Sequence, residues 1–386
     1  MAATVNIEDL RVQARRKLPK PIFEFLDGGA EDEVTLRANR SDFSKLTFNA
    51  RMFVDVGQRR AAVRVLGQDM AMPFMLAPTG LAGAFWPQGD VLAARAAKAA
   101  GLGYCLSTNS TTSIEEIAPH HPDFWFQLYA LRDRSLMRRL IERAKAANAK
   151  VLVITVDLAA HGRRERDTRN GFTVPPKLTP ANVMQFASRP GWLWRLMNNP
   201  GLTFANFAAM QSQEQGIIPL SKFVSTQFDP SIAWKDLAWI REIWPGKIAI
   251  KGLLAVEDAR IAVDHGVDGI IVSNHGGRQL DSAPSAIAAL PRIVDAVGDK
   301  AEVLIDSGIR RGSDIVKALA LGAKAALIGR AFLYGLATGG GPGVARSLDI
   351  LRGEVDNTQA LIGCPDLATI DRSYLLENDR PWPANS

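Results

Sequence analysis

Short apolar runs alternate along most of the chain with segments whose apolar residues repeat at helical spacing. From residue 72 onward these runs are rich in β-branched residues, which is typical of buried parallel strands. The predicted strands are Pro73–Ala77, Gly103–Ser107, Phe124–Tyr129, Val151–Val156, Ile248–Lys251, Gly269–Val272, Val303–Ile305 and Ala325–Ile328. The predicted helices between them include Val91–Ala100, Leu136–Ala147, Ala255–His265 and Asp314–Leu321. Eight strand–helix units in a row predict an α/β fold, a (β/α)8 TIM barrel, with a doubly wound open sheet as the alternative.

Two stretches lie outside this repeat. Residues 1–71 form an N-terminal extension that contains a predicted amphipathic helix, Ile7–Arg16. The long strand-4 loop, residues 158–230, ends before a helix predicted to start near Ser231, and it is far longer than the usual 2–6 residues of such loops. Because this loop is aromatic and basic, it has three interpretations: contact with a membrane interface through residues 177–215, packing on the protein or a neighbouring subunit, or a mobile lid.

Composition limits the class of protein. The 386 residues are 47% hydrophobic with no linker or low-complexity tract, which predicts one domain over residues 1–386. The net charge of +6 is spread along the chain, which argues against nucleic acid and is compatible with anionic small molecules or an anionic membrane face. Cys105 and Cys364 lack the spacing of a disulfide framework or a metal site, and Met1–Lys20 lacks the apolar core of a signal peptide. We expect a cytoplasmic protein whose membrane contact, if any, is peripheral on the cytoplasmic face of the inner membrane.

The candidate chemistry lies where the predicted strands end, because barrels carry their active sites at the carboxyl ends of the strands. After strand 6, the stretch from Ser273 to Asp281 places His275, two glycines and Arg278 on one loop. A base beside a fixed cation suits an anionic substrate that must lose a proton, although a turn histidine and a surface arginine would give the same pattern. The other polar or glycine positions at strand ends include Thr79, Gly80, Ser107, Gln127, Tyr129, Thr155, Asp157 and Lys251.

Glycines stand beside arginines after strands 7 and 8, in Asp306–Gly312 and at Gly329–Arg330. Backbone amides and guanidinium groups at this part of a barrel commonly bind phosphate. The two sites together predict a phosphate-bearing cofactor. No Gly-x-Gly-x-x-Gly follows a predicted strand, so nicotinamide binding of the open-sheet kind is not expected.

Motifs spread over nearly the whole chain resemble one enzyme family. They are Leu18-Pro19-Lys20, Gly28-Gly29-Ala30-Glu31-Asp32, Ala77-Pro78-Thr79, Gln127-Leu128-Tyr129, Thr155-Val156-Asp157, Lys251-Gly252, the nonapeptide from Ser273 to Asp281, and Asp306-Ser307-Gly308-Ile309-Arg310-Arg311-Gly312. In these motifs the chain resembles the FMN-dependent (S)-2-hydroxy acid dehydrogenases and oxidases, a family that includes glycolate oxidase, L-lactate dehydrogenase and (S)-mandelate dehydrogenase. Within the family it is most similar to (S)-mandelate dehydrogenase, through Gly162-x-Arg164-Glu165-Arg166-Asp167 and Ile362-Gly363-Cys364-Pro365-Asp366.

The resemblance implies FMN as the cofactor, oxidation of an (S)-2-hydroxy acid to the keto acid, and a role for each matching residue. His275 would be the general base, Asp157 would orient it, and Tyr129 would hydrogen-bond the substrate. Arg278 and Arg164 would bind the substrate carboxylate. The residues expected to hold FMN are Thr79, Gly80, Ser107, Gln127, Thr155, Ser273, Asp306, Gly308, Arg310, Gly329, Arg330 and Lys251, the last beside the flavin N1–O2 edge.

Three positions near the expected pocket bear on the substrate and the electron acceptor. Phe25 stands where the family usually has a Tyr that binds the carboxylate, so one hydrogen bond worth about 0.5–1.5 kcal/mol should be missing. Asn109 stands where glycolate oxidase has a bulky Trp, which suggests room for an aryl or long alkyl group. Gly80 is found in mandelate dehydrogenase where oxidases usually carry Ala. We therefore expect a mandelate-like or lactate-like substrate and a quinone-type acceptor, with oxygen and hydrogen peroxide formation as the alternative.

Other interpretations stay open at this point. Lys251 at a strand end is also the arrangement of a Schiff-base aldolase, and a non-catalytic flavin binder is a third hypothesis. A homo-oligomer, specifically a tetramer, is expected. His161 is a candidate to line the pocket, whereas surface or capping roles are expected for the remaining histidines, which are His120, His121 and His265.

Overall fold

The computed structural model describes residues 4–171, 180–198, 202–208, 226–377 and 380–381. Its centre is a ring of parallel strands: β1 (Phe74–Leu76), β2 (Cys105–Ser107), β3 (Trp125–Tyr129), β4 (Val151–Thr155), β5 (Lys247–Leu253), β6 (Gly269–Val272), β7 (Glu302–Ile305) and β8 (Ala326–Ile328). The eight strands are hydrogen-bonded in the order β1–β8–β7–β6–β5–β4–β3–β2. A bridge between Leu76 and Tyr104 closes the ring between β1 and β2. The predicted (β/α)8 barrel is confirmed, and the predicted strands differ from the observed ones by at most two residues at either end.

Side chains along the strands alternate between two apolar layers, as the pleat of a strand in a barrel requires. The inner layer fills the barrel and includes Met75, Trp125 and Ile271, whereas the outer layer lies between the strands and the helices. A hairpin of Val63–Val65 and Gln68–Met70 joins the inner layer at the amino-terminal end of the strands. The polar residues of the barrel therefore lie at the carboxyl end of the strands.

The described helices surround the barrel or extend from it. They are α1 (Ile7–Lys17), α2 (Lys20–Asp27), α3 (Val34–Lys45), α4 (Gly89–Ala99), α5 (Ile114–Ile117), α6 (Arg134–Ala146), α7 (Glu165–Arg169), α8 (Pro180–Ala187), α9 (Pro190–Met197), α10 (Ala205–Ala208), α11 (Asp236–Ile243), α12 (Val256–Asp264), α13 (Ala286–Val297), α14 (Gly312–Ala320) and α15 (Arg330–Leu361). Short 3-10 turns cover Ala82–Ala84, Leu367–Thr369 and Arg372–Tyr374, and a small antiparallel sheet joins Thr47–Phe48, Leu375–Glu377 and Arg380–Pro381.

Two details differ from the sequence-based expectations. The helix predicted to start near Ser231 begins at Asp236, because the Asp229 carboxylate accepts hydrogen bonds from the Ser231 backbone N–H and hydroxyl at 2.8 and 2.7 Å and holds a turn there. The glycine-rich run at residues 339–343, which the sequence pattern places after a helix, lies inside α15. Gly339 and Gly340 have non-helical backbone angles and kink that helix.

The strand-4 loop contains the short helices α7 to α10 within its described residues. One face of α9 packs on the protein: the Trp192 indole N–H donates to the Ala84 carbonyl at 2.8 Å, and the Arg195 guanidinium lies 4.3 Å from the centre of the Trp86 ring. Other apolar side chains of α8 and α9 are exposed to solvent, namely Val183, Met184, Trp194 and Met197. Within the described ranges, no helix is both long enough and apolar enough to span a bilayer.

Candidate active site

A histidine and a carboxylate meet across the carboxyl end of the barrel. His275 follows β6 and Asp157 follows β4, and His275 Nδ1 lies 2.8 Å from Asp157 Oδ1. Burial lowers the pKa of His275 below its ordinary value, although Asp157 acts in the opposite direction. Burial alone would raise the pKa of Asp157, but His275 and Lys251 outweigh it and hold that pKa below its ordinary value. The pair is therefore a neutral imidazole with an ionised carboxylate behind it, which is the state a general base requires.

The loop after β6 uses left-handed backbone conformations to bring His275 over the strand ends. His275 has a φ of 58°, followed by Gly276 at 69° and Gly277 at 72°. A Cβ on Gly277 would lie 2.7 Å from the backbone of Leu36, so this close approach to the N-terminal extension requires glycine. The Ser273 hydroxyl fixes the start of the loop by accepting the His275 backbone N–H at 3.0 Å.

Lys251 is buried at the end of β5, and two neighbours hold its amine. Nζ donates to Ser273 Oγ at 2.8 Å and lies 3.1 Å from Asp306 Oδ2. Burial would lower the pKa of Lys251, but Asp306 and Asp157 outweigh it and raise the pKa above its ordinary value. The strand is bulged between Lys251 and Leu253. Ser273 and Asp306, both expected to touch the cofactor, therefore bind the lysine that forms a fixed cation at this site.

Two arginines meet beside the histidine. Arg278 Nη1 donates to the carbonyls of Phe25 and Gly28 at 2.8 and 3.0 Å, and its guanidinium lies 5.1 Å from the centre of the Phe25 ring. Arg164 Nε lies 3.5 Å from the Arg278 carbonyl. Burial lowers the pKa of both arginines, and for Arg278 the repulsion by Arg164 adds to the effect. Two adjacent, partly desolvated cations favour an anion between them.

A series of aromatic rings connects the histidine to the rim of the site. Tyr129 and His275 have ring centroids 6.4 Å apart in a nearly parallel arrangement. Phe228 contacts Tyr129 edge-on at 5.3 Å, and His161 contacts Phe228 edge-on at 4.8 Å. Burial raises the pKa of Tyr129 to about 12, so its hydroxyl stays protonated as a hydrogen-bond donor. His161, a candidate to line the pocket, therefore lies near His275.

The ends of β2 to β4 carry buried polar atoms that lack protein partners. Among the described residues, Gln127 Nε2 and Thr155 Oγ1 are buried without a hydrogen-bond partner. The other end of the Gln127 amide accepts the Ser107 hydroxyl at 3.1 Å, which orients its N–H2 group. Unsatisfied buried donors and acceptors are costly unless a bound group pairs with them. A polar ring system such as isoalloxazine fits this need.

At the expected phosphate site, Arg330 already uses three of its N–H groups to hydrogen-bond the protein itself. Arg330 donates from Nε to Leu26, from Nη1 to Gly276 and from Nη2 to Gly28, all backbone carbonyls within 2.8–3.0 Å. Burial lowers its pKa to about 10. Its contribution to phosphate binding is therefore limited to the two N–H groups that remain, besides its charge.

The three other residues expected at the phosphate site are Arg310, Gly329 and Gly308. The Arg310 side chain donates to the Ile309 carbonyl at 2.8 Å. Gly329 precedes α15, where a helix N-terminus favours an anion. Gly308 has a φ of 92°, and a Cβ there would lie 1.9 Å from the Asn39 carbonyl, so the loop requires glycine.

The residues expected at the far wall of the pocket are Gly80, Asn109, Thr79 and Phe25. A Cβ on Gly80 would lie 3.1 Å from Asn109 Cβ, so these two positions share one small space. Thr79 adjoins it, and its methyl group is 3.8 Å from where a Cβ on Gly329 would be. Phe25 stacks on Phe85 with centroids 6.3 Å apart, which leaves its ring under Arg278.

Several residues of the site were not found from the sequence. Gln279 Nε2 donates to the carbonyls of Asp157 and Ala160, both at 3.0 Å, and so joins the loops after β4 and β6. Phe228 was also missed. Only the position of Gln279 within the nonapeptide was a signal; Phe228 lies in an irregular segment with no local pattern.

The remaining histidines lie away from the site. His121 is buried, so a surface role is wrong for it; its Nε2 lies 2.8 Å from the Leu102 carbonyl and its ring centroid 6.3 Å from that of Tyr104. His265 stacks on Trp234. His120 lies beside Arg95, whose Nε donates to its Nδ1 at 3.2 Å.

Comparison with known proteins agrees with this geometry. The family described as FMN-dependent dehydrogenase matches residues 14–377. The chain is 45% identical to an L-lactate dehydrogenase of Caulobacter sp. (strain K31) over 375 residues, which are 96% of this chain and 98% of that protein. It is 43% identical to the (S)-mandelate dehydrogenase of Pseudomonas putida over 371 residues, or 96% and 93% of the two chains.

A solved structure is similar over the same range. The crystal structure of the monotopic membrane protein (S)-mandelate dehydrogenase superposes with a TM-score of 0.94 at 43% identity, covering 97% of this chain and all of that one. Sequence, fold and site thus lead to one assignment: the chain is a member of the FMN-dependent dehydrogenase family.

Proposed function

We propose that this enzyme uses FMN to oxidise (S)-2-hydroxy acids to 2-keto acids. One observation carries the proposal: His275, paired with Asp157 at 2.8 Å, stands beside the half-buried cations Arg278 and Arg164 at the carboxyl end of the barrel. A base next to an anion site is what removal of a proton from a hydroxy carboxylate requires. The relatives named L-lactate and (S)-mandelate dehydrogenase support the same substrate class.

In this mechanism the arginines place the substrate and the histidine moves its proton. Asp157 occupies Nδ1 of His275, so Nε2 is the nitrogen that accepts a proton from the substrate. The ionised carboxylate then stabilises the imidazolium that forms. The Tyr129 hydroxyl, protonated because burial raises its pKa to about 12, donates a hydrogen bond to the substrate oxygen.

FMN, when bound, supplies the ring system that accepts the two electrons of the oxidation. Gln127 and Thr155 would hydrogen-bond the ring, Arg310 and the amide of Gly329 would bind the phosphate, and Lys251 would be the cation beside the ring. A fixed positive charge at that place stabilises the negative charge of the reduced flavin. The raised pKa of Lys251 weakens the aldolase alternative. Formation of a Schiff base requires a neutral amine, whereas Asp306 and Asp157 favour the protonated amine of Lys251.

For the electron acceptor, a membrane quinone is the favoured class. The exposed Trp194 and Met197 of α9, with the basic character of the strand-4 loop, suit contact with the surface of a bilayer. The mandelate dehydrogenase neighbour is described as a monotopic membrane protein. Oxygen is the second candidate, since mandelate oxidases are also structural neighbours.

The tetramer stays a prediction, which sedimentation analysis tests.

A substrate panel tests the proposed function. The holoenzyme is mixed without oxygen with (S)-lactate, (S)-mandelate and longer (S)-2-hydroxy acids, and the loss of visible flavin absorbance is followed. (S)-Mandelamide, which keeps the ring and hydroxyl but lacks the carboxylate, is the matched control and should bleach the flavin far more slowly. Retained flavin that no 2-hydroxy acid bleaches would instead indicate a non-catalytic flavin binder.

A further inference from the structure

A second cavity lies behind one wall of the candidate active site. It has a volume of about 370 Å³ and opens between the loop after β1, the loop after β2 and the strand-4 loop. One side is apolar, with Val91, Leu196 and Leu202, and the other is polar, with Gln88, Arg95, Glu116 and His120. None of these residues takes part in the chemistry proposed above.

The cavity and the flavin site share the same two loops. The Leu81 backbone N–H donates to the Asn109 carbonyl at 3.0 Å, and the Gly83 N–H donates to Thr111 Oγ1 at 3.0 Å. Gly83 and Thr111 line the cavity, whereas Gly80 and Asn109 lie at the far wall of the active-site pocket. The loops after β1 and β2 therefore carry residues of both the cavity and the candidate active site.

The roof of the cavity belongs to the segment with the exposed apolar surface. Leu196, which lines the cavity, is preceded on α9 by Trp194 and followed by Met197, which are 68% and 72% exposed. Trp192 anchors the helix through its bond to the Ala84 carbonyl. An apolar ligand that arrives at the exposed face of α9 thus reaches the cavity by passing one helix.

The polar side of the cavity presents hydrogen-bond donors. Arg95 Nε donates to His120 Nδ1 at 3.2 Å, and Arg95 Nη2 lies 3.5 Å from His120 Nε2. Arg95 keeps further N–H groups, and Gln88 adds an amide at the N-terminus of α4. Donors on one side and aliphatic side chains on the other suit a planar apolar ring that carries carbonyl oxygens.

We propose that this cavity binds the ring of a quinone, with Arg95 donating to a carbonyl oxygen. The inference rests on the proposed function, which it extends from the acceptor class to the acceptor site. The reaction is reduction of the quinone to the hydroquinone. Its two electrons come from the anionic reduced FMN, which returns to the oxidised form; one of its two protons comes from that flavin and the other from solvent.

The test measures the two half-reactions separately by anaerobic stopped-flow spectroscopy on the full-length holoenzyme. The flavin is first reduced with one equivalent of an (S)-2-hydroxy acid, then mixed with a short-chain ubiquinone analogue in detergent or with a soluble one-electron dye. The variants are Arg95→Met, which removes the donor, and Leu196→Trp, which fills the cavity. Lys98→Met, on the exposed surface of α4, is the matched control.

We expect both cavity variants to slow reoxidation by the quinone at least tenfold. Flavin reduction by substrate and reoxidation by the dye should stay within twofold of wild type, which also shows that the variants are folded. Quinone rates equal to those of Lys98→Met in both variants would overturn the cavity as the acceptor site. If wild-type reduced flavin does not react with the quinone at all, the proposed acceptor class itself fails, and the cavity proposal fails with it.

Discussion

At the scale of single residues, the partnership of His275 with Asp157 determines the pH at which the base works. Burial lowers the pKa of His275, and the Asp157 carboxylate raises it part of the way back. In Asp157→Asn this opposing contribution is lost, so the pKa of His275 should fall further. The acid limb of the kcat/KM profile should then move to lower pH, while the plateau falls roughly a hundredfold because the imidazolium is no longer stabilised. An acid limb that moves to higher pH would contradict the assigned pair.

A substitution at Phe25 is expected to strengthen substrate binding. Its ring already lies under Arg278, so a hydroxyl at its edge enters the anion site without moving the arginine. The variant Phe25→Tyr should lower the KM for the hydroxy acid by roughly two- to tenfold, the equivalent of one hydrogen bond of about 0.5–1.5 kcal/mol. The kcat value should change little. A raised KM would mean that the hydroxyl displaces the guanidinium.

The sequence predicted the identity of the site residues better than their partners. Strand ends of a barrel converge, so His275, Asp157 and Lys251 were expected together without any knowledge of distances. The partners depend on contacts between distant segments, which no local pattern encodes. Arg330 shows the difference: it was expected to bind phosphate, and three backbone carbonyls already occupy its nitrogens.

At the level of secondary-structure elements, the bulge in β5 places Gly252, the residue after Lys251, directly against Asp157. Gly252 has a φ of 110°, and a Cβ there would lie 2.7 Å from Asp157 Cβ. The variant Gly252→Ala should push Asp157 away from His275 and lower kcat/KM by roughly tenfold or more. The strained backbone should also lower the folding stability by about 1–3 kcal/mol. Gly266→Ala is the control, because Gly266 also has positive φ but open space around it. The control should lose thermal stability without loss of kcat/KM.

The barrel strands were predictable because each is short, apolar and buried on both sides, a pattern that survives without knowledge of the tertiary contacts. The strand-4 loop was not. Its helices α8 and α9 carry apolar residues on more than one side, and only the folded chain shows that Trp192 packs inward while Trp194 stays exposed. Of the segment proposed for membrane contact, residues 177–215, the parts at 177–179, 199–201 and 209–215 lie outside the described residues.

At the scale of the whole molecule, the exposed side chains of α9 are expected to hold the enzyme on a membrane. The double variant Trp194→Ser/Met197→Ser should shift the protein from the vesicle pellet to the supernatant in sedimentation with anionic lipid vesicles. Flavin reduction by substrate should not change, since neither side chain lines the active site. Met52→Ser/Phe53→Ser removes an exposed apolar pair elsewhere and serves as the control. Equal vesicle binding by both double variants would remove α9 as the contact.

The role of His275 as the base of an FMN-dependent oxidation of (S)-2-hydroxy acids is best tested by comparing wild type with His275→Ala. Wild type and His275→Ala, each loaded with FMN, are mixed without oxygen with (S)-mandelate and with (S)-lactate, and the flavin absorbance is followed by stopped flow. We predict equal flavin content, rapid bleaching of wild type by at least one of the two acids, and bleaching of the variant slower by roughly 10²–10⁴-fold. Near-normal bleaching of His275→Ala would show that His275 is not the base.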